Sequence, residues 1–208
     1  MRDADRSSTP AAVPQAPPAP PALIIPSYAV RSGPDGTKVL TETVDLLSLA
    51  VPDTWVTPAP NPLTLPKVLT TFAGQVPPLA EAVQSLALVE QKAGIRLFAY
   101  EPAAPYGFVS VISFSTPAAK PFTAAGVAAV VALAAKKTHG IAVTGDQLPV
   151  GEVVQLNSST RVDNQPIVLE VLVLVAGGRT LEIEMVAETD VAAIPAVFGQ
   201  IAQSLRLS

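Results

Sequence analysis

The stretch from Pro166 to Val186, PIVLEVLVLVAGGRTLEIEMV, sets the strongest hydrophobic pattern in the chain. Ile167 to Val175 is apolar at odd and even positions alike except Glu170, which predicts a strand covered on both faces and central in a sheet. Gly177-Gly178 supplies the positive backbone φ of a tight hairpin turn. After the turn the pattern alternates, with Leu181, Ile183 and Met185 on one side and Thr180, Glu182 and Glu184 on the other. That second strand is expected to meet solvent on one face.

The same reading places further strands at Glu42 to Val51, Ile95 to Tyr100, Gly107 to Ser115, Val143 to Val150 and Glu152 to Val162. Helical spacing appears at Leu65 to Phe72, at Leu79 to Lys92 behind Pro77-Pro78, and at Asp190 to Leu207, where Ile194, Phe198, Ile201 and Leu205 share a face. The Ala-rich run Phe122 to His139 is the most helical, with Thr123 as N-cap, Gly140 as the stop, and Lys136, Lys137 and His139 at its negative end. Hairpin-length connections favour an antiparallel sheet. The expected fold is therefore α+β, an antiparallel sheet of about six strands with helices on both faces. Residues 1–40 hold Pro10, Pro14, Pro17, Pro18, Pro20, Pro21 and Pro26, a density that blocks helix and sheet and predicts an extended tether before a single domain at 41–208.

Composition narrows the function classes. Of 208 residues, 49% are hydrophobic and 14% charged, so the chain has the material for a packed core. A net charge of −4 gives no basic surface for nucleic acid. The uncharged runs Ala124 to Ala135 and Ile167 to Ala176 fall short of the roughly 20 residues a membrane-crossing helix needs. With no cysteine, disulfides, thiolate metal sites and a cysteine nucleophile are excluded, and one histidine, His139, limits metal chemistry to carboxylates.

No phosphate-binding, dinucleotide, nucleophile-elbow or zinc-protease motif occurs. Glu182, Glu184, Glu188 and Asp190 form the nearest approach to a hard-cation site, but acids two apart on a strand face are ordinary, and no cofactor or metal is expected. An enzyme would have to use acids or hydroxyls such as Glu182, Glu184, Asp163 or Ser159, and its signature would be a cleft carboxyl with a strongly raised pKa. Trp55, the only tryptophan, with Tyr106 and Phe108, is the candidate lining of a ligand or partner recess; packing at the sheet end is the simpler account of all three.

The motifs LSLAVPDTW at 47–55, GIRLFAYEP at 94–102, LPVGEVVQL at 148–156 and FGQIAQSLRL at 198–207 resemble the PsbP-like superfamily, in particular the exported PsbP-like proteins and lipoproteins of actinobacteria. Thr54 departs from the glycine that such proteins often carry before the tryptophan. The resemblance implies an α/β/α sandwich and a non-catalytic accessory or binding domain, with no catalytic residues to carry over. Its expected partner is a protein or an apolar small molecule. It also implies an extracytoplasmic place, although neither a signal peptide nor a lipidated cysteine is present; a cytoplasmic chaperone or secretion-accessory domain is the alternative.

Overall fold

A computed structural model describes residues 28–44, 47–59, 65–84, 94–115, 120, 122–134, 141–176, 178–189 and 196–207. Its main sheet has six antiparallel strands in the order β4-β5-β9-β8-β7-β6. In chain order these are β4 (Ile95–Glu101), β5 (Gly107–Ser115), β6 (Ile141–Leu148), β7 (Gly151–Val162), β8 (Gln165–Ala176) and β9 (Arg179–Glu188). The hairpin expected around the glycine pair is β8–β9, paired from Ile167↔Glu188 to Ala176↔Arg179, with Gly178 at φ 76. It lies in the middle of the sheet, flanked by β7 and β5.

Register sorts the side chains by parity. Leu181, Ile183 and Met185 share a face with Leu172, Leu174, Val109 and Val111, and all are buried in one cluster. The opposite face carries Phe98, Phe108, Ile112 and Val186, buried in a second cluster with Leu65, Leu69 and Phe72. Those last three belong to α1 (Leu65–Gln75), followed by the 3-10 turn Pro77–Leu79, which runs into helical residues 80–84. Farther along the same face, α2 (Ala124–Ala134) lies over β6 and β7, with Val127 its buried contact and Thr123 Oγ1 accepting from Gly126 N at 3.2 Å.

The other face is not covered by helices alone, and this overturns the expected sandwich. A second antiparallel sheet of four strands, β1-β2-β3-β10, closes it together with α3 (Ala196–Ser204). Its strands are β1 (Tyr28–Ser32), β2 (Thr37–Glu42), β3 (Leu47–Pro52) and β10 (Arg206–Leu207). The physical cause lies in two stretches. The expected tether through residue 40 holds β1 and the first four residues of β2, joined by a turn in which Asp35 and Gly36 take φ 51 and 70, the combination of a tight hairpin. The single strand expected at Glu42 to Val51 is broken by a turn at 43–44, so Leu40, Leu49 and Val51, all fully buried, come from two paired strands.

At the chain's end, helix gives way to strand. Phe198, Ile201 and Ala202 are buried as helical spacing requires, but Arg206 and Leu207 pair with Ser48 and Leu47 of β3. Ser204 Oγ donates to the Ile201 carbonyl at 2.7 Å and accepts from Ala50 N at 2.7 Å, fastening α3 to β3. The rest of the expected second helix, 85–92, together with Lys136, Lys137, His139, Gly140, Asp190 and Ile194, lies outside the described residues. Among the described residues no helix is long and apolar enough to cross a membrane.

Candidate functional site

Four separate segments meet at one end of the main sheet. Pro52 stops β3, and the chain turns so that Trp55 N donates to the Pro52 carbonyl at 3.1 Å. Val56 and Tyr100 then exchange backbone hydrogen bonds of 2.8 and 3.0 Å, holding the Trp55 segment against β4. Lys38 Nζ donates to the Trp55 carbonyl, and Tyr28 Oη lies 2.6 Å from the Pro58 carbonyl. Trp55 is only 4% exposed, so its ring is a wall rather than a flag.

Facing it are the β4–β5 loop, the end of β9 and the first turn of α3. The recess they enclose has a volume of about 410 Å³. Trp55, Pro52, Pro105, Tyr106, Val197 and Phe198 give it apolar walls, and Glu101, Glu188 and Thr189 supply polar groups. No lining residue carries a positive charge among those described. Glu188 N donates to the Tyr106 carbonyl at 2.8 Å and Thr189 N to the Pro166 carbonyl at 3.1 Å, which ties the β4–β5 loop and the β9 end into one rim. A wider depression of about 770 Å³ shares Ala104, Pro105, Glu188 and Thr189 with the recess and extends it to Arg161, Gln165 and Pro166. Arg161 Nη1 is already engaged, donating to the Asn164 carbonyl at 3.0 Å.

Of the three residues expected to line a recess, the structure brings together Trp55 and Tyr106 and sends Phe108 elsewhere. Phe108 follows Gly107 by one position in β5, so it points to the helix-covered face, fully buried, with ring centroids 6.3 Å from Phe72 and 5.6 Å from Phe98. Glu101, Val197 and the Glu188 rim were not legible as partners of Trp55, because they come from strand ends and a helix start that only the fold juxtaposes.

The residues named for a carboxylate enzyme do not converge. Asp163 and Asn164 sit in the β7–β8 turn at φ 50 and 66, while Ser159 is exposed on the face of β7 opposite to that of Glu182 and Glu184. Glu184 is pushed up to about 7, first by burial and then by the charge of Glu182; burial also raises Glu182. Neither acid lines the recess. Among the described residues no group of three acidic or histidine side chains could hold a metal ion.

Set against known proteins, the chain matches no family model, and no curated protein is significantly similar to it.

Proposed function

We propose that this domain is a non-catalytic binding module that holds an apolar small molecule beside Trp55 and acts outside the cytoplasmic membrane. The observation that carries the reading is the recess itself. Ligand sites of small molecules are concave, mainly apolar and furnished with few polar groups, in the range of about 300–1,000 Å³. A recess of about 410 Å³ walled by Trp55, Tyr106, Val197 and Phe198 has that character. Glu101 and Glu188 favour a ligand that donates hydrogen bonds, through a hydroxyl or an amine, over an anion. The scatter of acids and hydroxyls over two faces of the sheet supports binding over catalysis. The extracytoplasmic placement rests on the PsbP-like resemblance of the motifs around Trp55 and at the chain's end.

Since Trp55 is the only tryptophan, its emission reports on the recess directly. The neutral dye N-phenyl-1-naphthylamine should quench it saturably, and Val197→Phe, which fills the recess from α3, should weaken that binding about tenfold, or about 1.4 kcal/mol. Saturable binding unaffected by Val197→Phe, or no quenching at all, would remove the reading. Native mass spectrometry of the full chain from the host's envelope fraction then asks whether a natural ligand is retained.

A second reading, a protein partner, is favoured by one observation. Val130 and Leu133 of α2 are 41% and 56% exposed, and Ile141 at the start of β6 is 40% exposed. A protein copurifying in the same experiment and released by Leu133→Glu, with the recess empty, would replace the small molecule as the conclusion.

A further inference from the structure

On the far side of α3 from Trp55 lies a second cavity, of about 350 Å³, between that helix and strands β6, β7 and β8. Leu148, Leu172, Ala196 and Ala202 give it aliphatic walls. Asp146 stands exposed at its edge, Gln155 and Gln203 contribute amides, and Glu170 lines it from the central strand. Glu170 breaks the apolar run of β8 and is only 3% exposed. Its Oε1 accepts from Gln155 Nε2 at 2.9 Å, while Oε2 is buried with no hydrogen-bond partner. Asn157 stands directly across the β7–β8 ladder from Glu170, on the same face, and its buried Oδ1 also has no partner.

A buried acceptor with no donor is costly, and a buried carboxylate without a cation more so. Among the described residues no lysine or arginine lines this cavity. We propose that the cavity between α3 and β6–β8 binds the ammonium or guanidinium head of a small aliphatic cation, which donates to Glu170 Oε2 and is paired at the edge by Asp146. An inorganic ion fits less well. The space far exceeds one metal ion, only two carboxylates reach it, and the leucine and alanine walls suit a hydrocarbon stem.

Protonation of Glu170 removes the same buried charge without a ligand. The Glu170 carboxyl is held above its ordinary range by burial, against the hydrogen bond from Gln155, with the charge of Asp146 adding to the rise. Among the described residues, Glu170 and Asp146 are the titratable groups of the lining, β7 contributing Gln155 and α3 Gln203. Cation and proton therefore compete for one place: binding strengthens as pH rises and displaces a proton wherever Glu170 is partly protonated. This inference is independent of the Trp55 recess.

The test is isothermal titration of the full chain with pentylammonium chloride, and with pentanol as the neutral control, in buffers of different ionisation enthalpy. Pentylammonium should bind with a Kd of about 1 mM or tighter at pH 8 and more weakly as the pH is lowered towards 4, with proton release where Glu170 is partly protonated. Glu170→Gln keeps the shape and removes the charge, and should cost at least about tenfold and abolish proton release; Asp146→Asn, exposed at the edge, should cost a few fold. Circular dichroism and the urea midpoint establish that both variants are folded. Equal binding of pentanol, binding untouched by Glu170→Gln, or calcium chloride binding more tightly than pentylammonium would each overturn the proposal, as would no binding of pentylammonium at pH 8.

Discussion

Glu170 and Glu184 stand on adjacent strands of one hairpin but on opposite faces of the sheet, and burial raises both carboxyls. What differs is the cover. Over Glu170, α3 leaves a cavity, so the acid's free oxygen has room for a partner. Glu184 lies on the face covered by α1 and α2, between Val171 and Ser110 in the ladder, with Glu182 two positions away on the same strand face. Ser110 is fully buried and its hydroxyl has no partner. Strand parity alone decides which face an acid joins; the layer packed on that face decides whether the acid is a site or a cost.

The largest effects should come from the packing that sets the two faces apart. Phe98 is fully buried at the centre of the ring cluster, 6.2 Å from Phe72, 5.6 Å from Phe108 and 5.8 Å from Tyr100. Phe98→Ala should cost about 3–5 kcal/mol in urea unfolding. Leu49→Ala, on the sheet-covered side, should cost about 2–5 kcal/mol. If the two layers form one cooperative unit, both variants shift a single transition; a separate early transition in only one of them would mean that the four-stranded sheet and α3 unfold apart from the helical layer.

That four-stranded layer was the part hardest to read. The β8–β9 hairpin was legible because a long apolar run, a glycine turn and an alternating run follow one another, and register then follows from the turn. In β1 and β2 the same signal is short. YAVRS and TKVLTE are five- and six-residue strands beside a proline-dense start, and the composition of that start outweighed the Asp35-Gly36 turn. The recess was legible only in part. Pro52-Asp53-Thr54-Trp55 announces a ring at a strand end, but no spacing links it to Glu101, Glu188 or Val197, which arrive from three other elements. Phe108 does not join the recess because it is one position on from Gly107 along β5, and one step along a strand reverses the side. Glu170 was visible as the lone interruption of an apolar strand, yet its meaning depends on a cavity made by β6 and β7 before it and by α3 after it.

Glu184 tests the cost side of the comparison. Below its unfolded value of 4.5 the carboxyl is protonated in both states and contributes no penalty. Between 4.5 and about 7 the unfolded chain has released the proton while the folded one keeps it, so stability falls as pH rises. Above about 7 the penalty levels off at about 3 kcal/mol. Glu184→Gln should therefore stabilise the protein by about 2 kcal/mol at pH 8 and change it by less than about 0.5 kcal/mol at pH 4. Glu182 and Glu170 shift in the same direction, so the difference between variant and parent, rather than the parent curve, isolates Glu184. A stabilisation independent of pH would mean that the gain comes from packing or hydrogen bonding and not from the charge.

The smallest expected effect concerns how lightly the helix-covered face is held at its β6 edge. Val127 is 4% exposed and Val131 half-buried, whereas Ala128, Ala129, Val130 and Leu133 of the same helix are exposed, so Val127 is the one fully buried side chain among the described residues of α2. Gly145 of β6 makes that contact possible, since a Cβ there would overlap the Val127 side chain. Gly145→Ala should cost about 1–2 kcal/mol and raise hydrogen exchange across 124–134 while the β8–β9 amides stay protected. Adding Val127→Ala to Gly145→Ala gives the new methyl its space, and exchange in the helix should return part of the way towards the parent. If the double variant is as loose as Val127→Ala alone and Gly145→Ala by itself changes nothing, the helix is held by something other than the fit of Val127 over a bare backbone.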